Sequence, residues 1–537
     1  MKYEKLIEQY FPFEKFNPGQ KEAIDFAVTN IVAGKKHILM ELPTGIGKSA
    51  IATTVHRVMR AIKKGQMNWR TSIVTATKGL QEQYLHDDKE IVSLKGRSNY
   101  PCSKNAGHYG TAKCKQTCNA GGCVPAASCD YFKAREVWRL HADLRLTNTS
   151  FQIKAPAELI GDDKSRASLT VIDECHEIDE QLVKHAALTI DMTDLTAIEK
   201  VAGKNFTGRF AAFINEFSEY DEGFYFTPGT DVQSSAKELI DAINSKAGEL
   251  EQKAKESSHG HGSIVAVADD LKSWATALHS FAFSGGEWII EEYAYAQKLV
   301  LTPVYAHQVV FDGLYNKCDQ FIHMSATICG FDEYMKTLGI DKKDAAIIDA
   351  ANPIPVEQRP VYAMNAIKVS GSYDREKLAL FVDKIIERHG EDNGVIHTVS
   401  FQLAKDIRDN SKFKRRMVIS NDREEILRLL KKKGSILLSP SVEAGYDFKG
   451  DMARWQILAK VPFEYLGSHY IKLNADRDNK WYARKAVVRL VQASGRAVRG
   501  VDDYATTYII DSNFSRLYTE NAELFPNWFK EAVKIIK

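Results

Sequence analysis

What this chain of 537 residues lacks narrows its class first. No apolar run approaches the roughly 18 to 20 residues that a membrane-spanning helix needs, so no membrane partner is expected. The opening residues, MKYEKLIEQYFPFEKF, have no apolar stretch of the export-signal kind, which places the expected location in the cytoplasm. Net charge is only +2, so any nucleic-acid footprint must be a local groove and not a general positive excess. Internal repeats and low-complexity tails are absent. Cysteine is scarce except in one place: five of the eight, Cys102, Cys114, Cys118, Cys123 and Cys129, share a short segment. In an unexported chain such clustering reads as metal or cluster ligation before disulfides. The scattered Cys175, Cys318 and Cys329 read as small buried hydrophobes. The remainder is ordinary globular material, 44% hydrophobic and 26% charged, at a length that exceeds one hydrophobic core and suggests about three or four compact units.

Three segments carry chemistry. An apolar strand, His37 to Met40, runs into Glu41-Leu-Pro-Thr-Gly-Ile-Gly-Lys-Ser49, and Ala50 to Ile62 has helical spacing. Strand, glycine-rich loop and helix form a phosphate cradle. Thr44, Gly45 and Gly47 shape the loop so that backbone N–H groups turn inward, Lys48 neutralises charge, and the Ser49 hydroxyl can ligate Mg2+. The strict pattern asks for glycine at position 42, where this chain has Leu42. A second strand, Ser168 to Ile172, ends on Asp173-Glu174-Cys175-His176, putting carboxylates at the end of a parallel strand where such sheets bind ligands. Asp173 suits Mg2+, and Glu174 suits orientation and deprotonation of an attacking water. Near the C-terminus, Gln492-Ala-Ser-Gly-Arg496-Ala-Val-Arg499 places two arginines three residues apart. On a helix they would share a face and could reach a γ-phosphate.

Together these segments resemble the superfamily 2 helicases, and most closely the DinG/XPD-like branch. The resemblance runs in order along most of the chain. Phe16-Asn-Pro-Gly-Gln20 is similar to the upstream adenine-contacting segment. Thr75-Ala-Thr77 with Gln81 and Gln83 resembles a motif that contacts the DNA backbone, Lys95 to Cys102 the approach to an iron–sulfur domain, and Ala142 to Asn148 the segment before the acidic box. Met324-Ser325-Ala326-Thr327 resembles the motif that couples nucleotide state to DNA grip; Ser439 to Gly450, with Glu443, Gly445 and Asp447, resembles motif V; Gly394 to Phe401, expected as a buried strand, resembles motif IV. The implied fold is α/β: two RecA-like parallel-sheet lobes, with a cysteine-rich insert and a mostly helical Arch-like insert in lobe 1. The implied boundaries are lobe 1 at 1–95, 141–180 and 316–352, the cysteine-rich insert at 96–140, the helical insert at 181–315, and lobe 2 at 353–537. The implied activity is ATP-dependent translocation on single-stranded DNA, 5′ to 3′, with duplex unwinding in replication, repair or recombination. ATP and Mg2+ fall to Gln20, Thr44, Gly45, Gly47, Lys48, Ser49, Asp173 and Gln492, with Glu174, Arg496 and Arg499 as further catalytic groups. A monomer in a bacterial or phage-infected host cytoplasm is expected.

By the same resemblance Cys102, Cys118, Cys123 and Cys129 hold a [4Fe-4S] cluster, with Cys114 spare; Cys114 paired with Cys118 is a variant of that set. Four thiolates also suit zinc, which stays the alternative. Two other functions remain open: an ATP-switched nucleic-acid remodeller without strand separation, and a nuclease-helicase, for which no spare N-terminal region is visible. Ser257 to Ser263, with two histidines in a glycine run, reads as a loop. Asn352 to Pro360 reads as an extended crossing into lobe 2. The basic run Lys412, Lys414, Arg415 and Arg416 suits either a phosphate or plain solvent.

Overall fold

The computed structural model describes residues 1–64, 69–96, 99–100, 130–155, 160–162, 165–256, 261–295, 297–440, 448–498, 500 and 502–536. All five clustered cysteines, Arg499, and Glu443, Gly445 and Asp447 lie outside these residues. In chain order the strands are β1 (His37–Glu41), β2 (Thr71–Thr75), β3 (Val92–Ser93), β4 (Leu144–Asn148), β5 (Ala167–Asp173), β6 (Leu188–Asp191), β7 (Tyr225–Phe226), β8 (Trp288–Ala294), β9 (Lys298–Pro303), β10 (Cys318–Ser325) and β11 (Ala345–Asp349). They continue as β12 (Val361–Ile367), β13 (Gly394–His397), β14 (Met417–Ile419), β15 (Ile436–Ser439), β16 (Trp455–Leu458), β17 (Thr506–Asp511) and β18 (Val533–Ile535).

Two seven-stranded parallel sheets form the lobes, ordered β11-β1-β10-β5-β2-β4-β3 and β14-β15-β13-β16-β17-β12-β18. Central parallel strands are covered on both faces, so β1 (His-Ile-Leu-Met-Glu) and β5 (Ala-Ser-Leu-Thr-Val-Ile-Asp) are largely apolar in their middles and buried at every position. The order has one consequence for the site. β10, far downstream in the chain, lies between β1 and β5, with Glu41 beside Ser325 and Met324 beside Asp173. The C-terminal ends of three adjacent strands therefore carry the glycine-rich loop, Ser325 and the acidic box side by side.

The insert after β5 is mostly helical, as expected, and it also contains a four-stranded antiparallel sheet, β6-β9-β8-β7, that sequence reading did not anticipate. Two long helices, Thr230–Glu256 and His261–Phe283, pack on this sheet around a separate core that includes Phe210, Phe217, Phe281 and Trp288. Of the loop expected at 257–263, residues 257–260 lie outside the described residues, and helix already begins at His261. Two further expectations are corrected. The strand expected over Gly394 to Phe401 stops at His397: the Ser400 side chain accepts from Leu403 N–H and caps a helix over Phe401–Asn410. The crossing at 352–360 contains a short helical turn, Val356–Gln358.

The lobes meet through the lobe 2 helix Asn479–Ser494. Arg484, fully buried, donates to the carbonyls of Ile328 and Cys329 just past β10, at 2.8 to 3.1 Å. Lys485 donates to Asp179 and Glu180, both at 2.8 Å. From the last helix, Trp528 Nε1 donates to Ala326 O at 3.3 Å. Removing one partner of a buried ion pair leaves the other charge stranded, which typically costs about 3–5 kcal/mol. Lys485→Met is therefore expected to loosen lobe docking and produce an additional, earlier transition in thermal unfolding; an unchanged single transition would show that the pair does not hold the lobes together.

Candidate functional site

The loop after β1 turns on two glycines in the left-handed region, Gly45 at φ 88° and Gly47 at φ 85°, and the helix Lys48–Ile62 starts immediately behind them. A side chain at either glycine would be strained. At Gly47 it would also collide, because a Cβ there would lie 2.5 Å from Gln20 Nε2. Gln20 is buried and works as a brace: Nε2 donates to Gly47 O at 3.1 Å and Oε1 accepts from Asn17 N at 2.9 Å. Asn17 Nδ2 donates to Gly45 O at 3.1 Å. The residue expected at an adenine thus spends part of its amide on the phosphate loop itself.

Around this loop the structure brings together Lys48, Ser49, Asp173, Glu174, Gln492 and Arg496. Lys48 Nζ lies 3.6 Å from Glu174 Oε1. Burial and the neighbouring Glu174 charge push Asp173 up to about 6. Glu174 is also buried, which pushes it up, but Lys48, His176 and Arg496 outweigh that and hold it down to about 2. Glu174 therefore stays an anion, as an acceptor of a water proton must. Its backbone occupies the left-handed region at φ 54°, so the carboxylate is aimed by a bent strand end. Ser49 Oγ donates to Asp87 Oδ2 at 3.0 Å, and Tyr84 Oη donates to Asp173 Oδ2 at 3.1 Å. A serine hydroxyl and a buried carboxylate are hard oxygen donors of the kind Mg2+ takes, so the chemistry of Ser49 and Asp173 suits that ion.

A chain of contacts leads from Glu174 into lobe 2. Ser325 Oγ donates to Glu174 Oε2 at 3.2 Å and accepts from Thr327 N at 3.0 Å. His176 Nδ1 lies 2.8 Å from Ser325 Oγ, within hydrogen-bond reach. His176 Nε2 lies 2.5 Å from Gln492 Nε2. Arg496 and Gly495 line the same narrow cleft as Thr44 and Glu174. One expectation is corrected for Arg496, which does not lie on a helix; Arg499 is outside the described residues. The helix ends at Ser494, and Arg496 sits in the turn beyond it, its N–H bonded to Ala493 O at 3.2 Å.

Sequence reading missed Tyr84 and Asp87, which hold Asp173 and Ser49 from the helix Lys78–Asp87, and the anchors Arg484 and Lys485. Their only advance signal was position: Tyr84 and Asp87 share one face of a helix with Gln81. The basic run is divided. Arg416 donates to the carbonyls of Gly434 and Gly390 at 2.7 and 2.8 Å, and Lys412 pairs with Glu387, so both serve the fold. Cys175, Cys318 and Cys329 are buried as expected, and burial pushes the Cys318 thiol up to about 12. Among the described residues no group of three or more His, Cys, Asp or Glu side chains could hold a metal ion, and no helix is long and apolar enough to cross a membrane.

Gly47→Ala is expected to weaken binding of a fluorescent ATP analogue at least tenfold, from backbone strain and the Gln20 collision together. Adding Gln20→Ala removes the collision together with the Gln20 brace, so it should restore at most part of the loss. Full restoration would show that the backbone angle is unimportant.

Comparison with known proteins agrees with this arrangement. Residues 14–213 match the profile of the type III restriction enzyme res subunit, and residues 388–532 that of a helicase C-terminal domain. Over 112 residues the chain is 29% identical to the general transcription and DNA repair factor IIH helicase subunit XPD/RAD3 of Saccharomyces cerevisiae, covering 19% of this chain and 14% of that relative's length. An XPD helicase structure matches with a TM-score of 0.59 at 14% identity, covering 98% of this chain and 100% of the other. The S. tokodaii Xpd4 structure matches with a TM-score of 0.56 at 16% identity, covering 96% and 99%. With a res-subunit profile on the first lobe, a helicase C-terminal domain profile on the second, a short stretch similar to XPD/RAD3 and an XPD-like fold from end to end, the chain resembles the XPD-like helicases.

Proposed function

We propose that this protein is an ATP-driven DNA helicase that moves 5′ to 3′ along single-stranded DNA and unwinds duplex in replication, repair or recombination. The observation that carries the proposal is the seat of Glu174, an ionised carboxylate between Lys48 of lobe 1 and the Arg496 charge of lobe 2. Lys48 and the N–H groups around Gly45 and Gly47 bind the phosphates. Glu174 takes a proton from the attacking water. Arg496, with Arg499, meets negative charge on the transferred phosphoryl group. Ser49 and Asp173 would hold Mg2+, which would supply neutralisation of phosphate charge. Because Ser325 and His176 link Glu174 to Gln492, loss of the γ-phosphate would be felt directly at the lobe 2 helix. Grip on the strand would be largely electrostatic and insensitive to sequence. A cleft lined by Lys78, Lys95, Lys154, Asn99 and Asn148 offers phosphate contacts beside the helix Lys78–Asp87.

Lys48→Ala is expected to abolish ATP turnover while leaving single-stranded DNA binding largely intact, measured by phosphate release and filter binding. In strand displacement the wild-type protein should need a 5′ single-stranded tail. Normal hydrolysis by the variant would remove the phosphate-loop assignment, and unwinding from 3′ tails alone would reverse the polarity. ATP turnover without strand displacement would instead leave a nucleic-acid remodeller.

The cysteine segment is proposed to hold a [4Fe-4S] cluster through Cys102, Cys118, Cys123 and Cys129. Its support is the five clustered thiols; the described residues on either side in sequence, Leu94, Tyr131, Trp138, Ala155 and Ile160, form one small core. Cys129→Ser should lose iron and unwinding together and keep a sizeable share of ATPase activity, whereas Cys114→Ser should keep all three. Zinc without iron in anaerobically purified protein would replace the cluster with a structural zinc site.

A further inference from the structure

One turn of the helix Lys78–Asp87 carries both residues that hold the two oxygen donors suited to Mg2+. Tyr84 Oη donates to Asp173 Oδ2 at 3.1 Å, and Glu174 N donates to Asp173 Oδ1 at 3.0 Å, so both oxygens of that carboxylate already accept a bond. The Ser49 hydroxyl turns to Asp87 instead, with its proton on Oδ2 at 3.0 Å. A hydroxyl has one proton and two lone pairs, so committing the proton to Asp87 fixes where the lone pairs lie.

Packing does not require this bond. Arg57, on the phosphate-loop helix Lys48–Ile62, pairs with Asp88 at 2.6 Å and Glu90 at 3.0 Å and ties the same two segments together. Tyr84, 2% exposed, holds the helix to the lobe 1 core. An acid in the last turn of a helix also meets the partial negative charge of the helix C-terminus, which disfavours it. Among the described residues the one ion-pair contact of Asp87 is the exposed His86 side chain at 3.3 Å. We propose that Asp87 is a positioning residue for Mg2+: it takes the Ser49 hydroxyl proton and so leaves the Ser49 oxygen free to meet the ion. This role rests on the phosphate-loop reading of Lys48, Ser49 and Asp173. Removing a partner that orients a metal ligand typically costs about 10- to 100-fold in metal affinity. Asp87 acts through Ser49, so the effect of removing it depends on Ser49 being present.

The test reads binding on the full chain, apart from turnover. Affinity for a fluorescent non-hydrolysable ATP analogue is compared in Mg2+ and in EDTA, and Mn2+ binding to the analogue-loaded protein is followed by electron paramagnetic resonance. Asp87→Ala should weaken Mn2+ binding about tenfold or more and lose most of the Mg2+-dependent gain in nucleotide affinity. Its nucleotide affinity in EDTA and its melting temperature should stay at wild-type values. Asp87→Asn, which keeps an acceptor oxygen of the same reach, should retain more metal affinity than Asp87→Ala. On a Ser49→Ala background, Asp87→Ala should add about twofold at most, because the hydroxyl it orients is gone. Unchanged metal binding in Asp87→Ala, equal losses in the two Asp87 variants, or a full further loss on the Ser49→Ala background would each overturn the proposal. A lowered melting temperature with nucleotide affinity lost in EDTA too would assign Asp87 to the fold and overturn it as well. Wild-type protein that binds the nucleotide equally in Mg2+ and EDTA would overturn the phosphate-loop reading and this role together; Mg2+-dependent wild-type binding with an unaffected Asp87→Ala variant overturns this role alone.

Discussion

The helix Asn479–Ser494 is the constraint on which the two-lobe arrangement turns. Near its start, Arg484 and Lys485 fasten lobe 2 to the carbonyls after β10 and to the acidic pair Asp179 and Glu180. Near its end, Gln492 meets His176. An α-helix is stiff over this length, so anchoring one part fixes where the other lies. The anchors thus set the position of the groups that face the phosphate loop. A slack attachment would leave Arg496 and Gln492 at uncertain distances from Glu174, and charge stabilisation falls off with misplacement.

The same seam explains the strained residues near the site. Cys329 lies in the left-handed region at φ 54°, its N–H donating to Glu41 Oε1 at 2.8 Å while its carbonyl accepts from Arg484. Burial pushes Glu41 up to about 8, so it remains protonated at neutral pH and adds no charge beneath the phosphate loop. Strain of this kind persists only where surrounding contacts over-determine it. Lobe 1 supplies the carboxyl and lobe 2 supplies the guanidinium.

Much of the site was legible because its chemistry demands particular residues at short spacing. A phosphate loop needs Gly45, Gly47 and Lys48 together, and an acidic box needs Asp173 and Glu174 at a strand end. Such local requirements show in sequence. The strand over Gly394 to His397 was legible for its apolar run, but its stopping point was not, since a helix cap at Ser400 competes with strand continuation. The sheet β6-β9-β8-β7 was not legible either. Its strands come from opposite ends of the insert, and two helical hairpin arms dominate the residues between them.

The amino-acid order alone determined that strand, loop and helix would make a phosphate cradle, that the acidic box would follow a buried strand, and that thiols would cluster before it. Those features rest on bonds and angles within a few residues. Tertiary structure decided the rest. Ser325 reaches Glu174 only because β10 inserts between β1 and β5, a choice of sheet order that no local spacing encodes. Lys485 becomes an anchor only because Asp179 and Glu180 face it across the seam. Contacts between residues some 300 positions apart depend on how whole elements pack, and side-chain chemistry alone leaves that packing open.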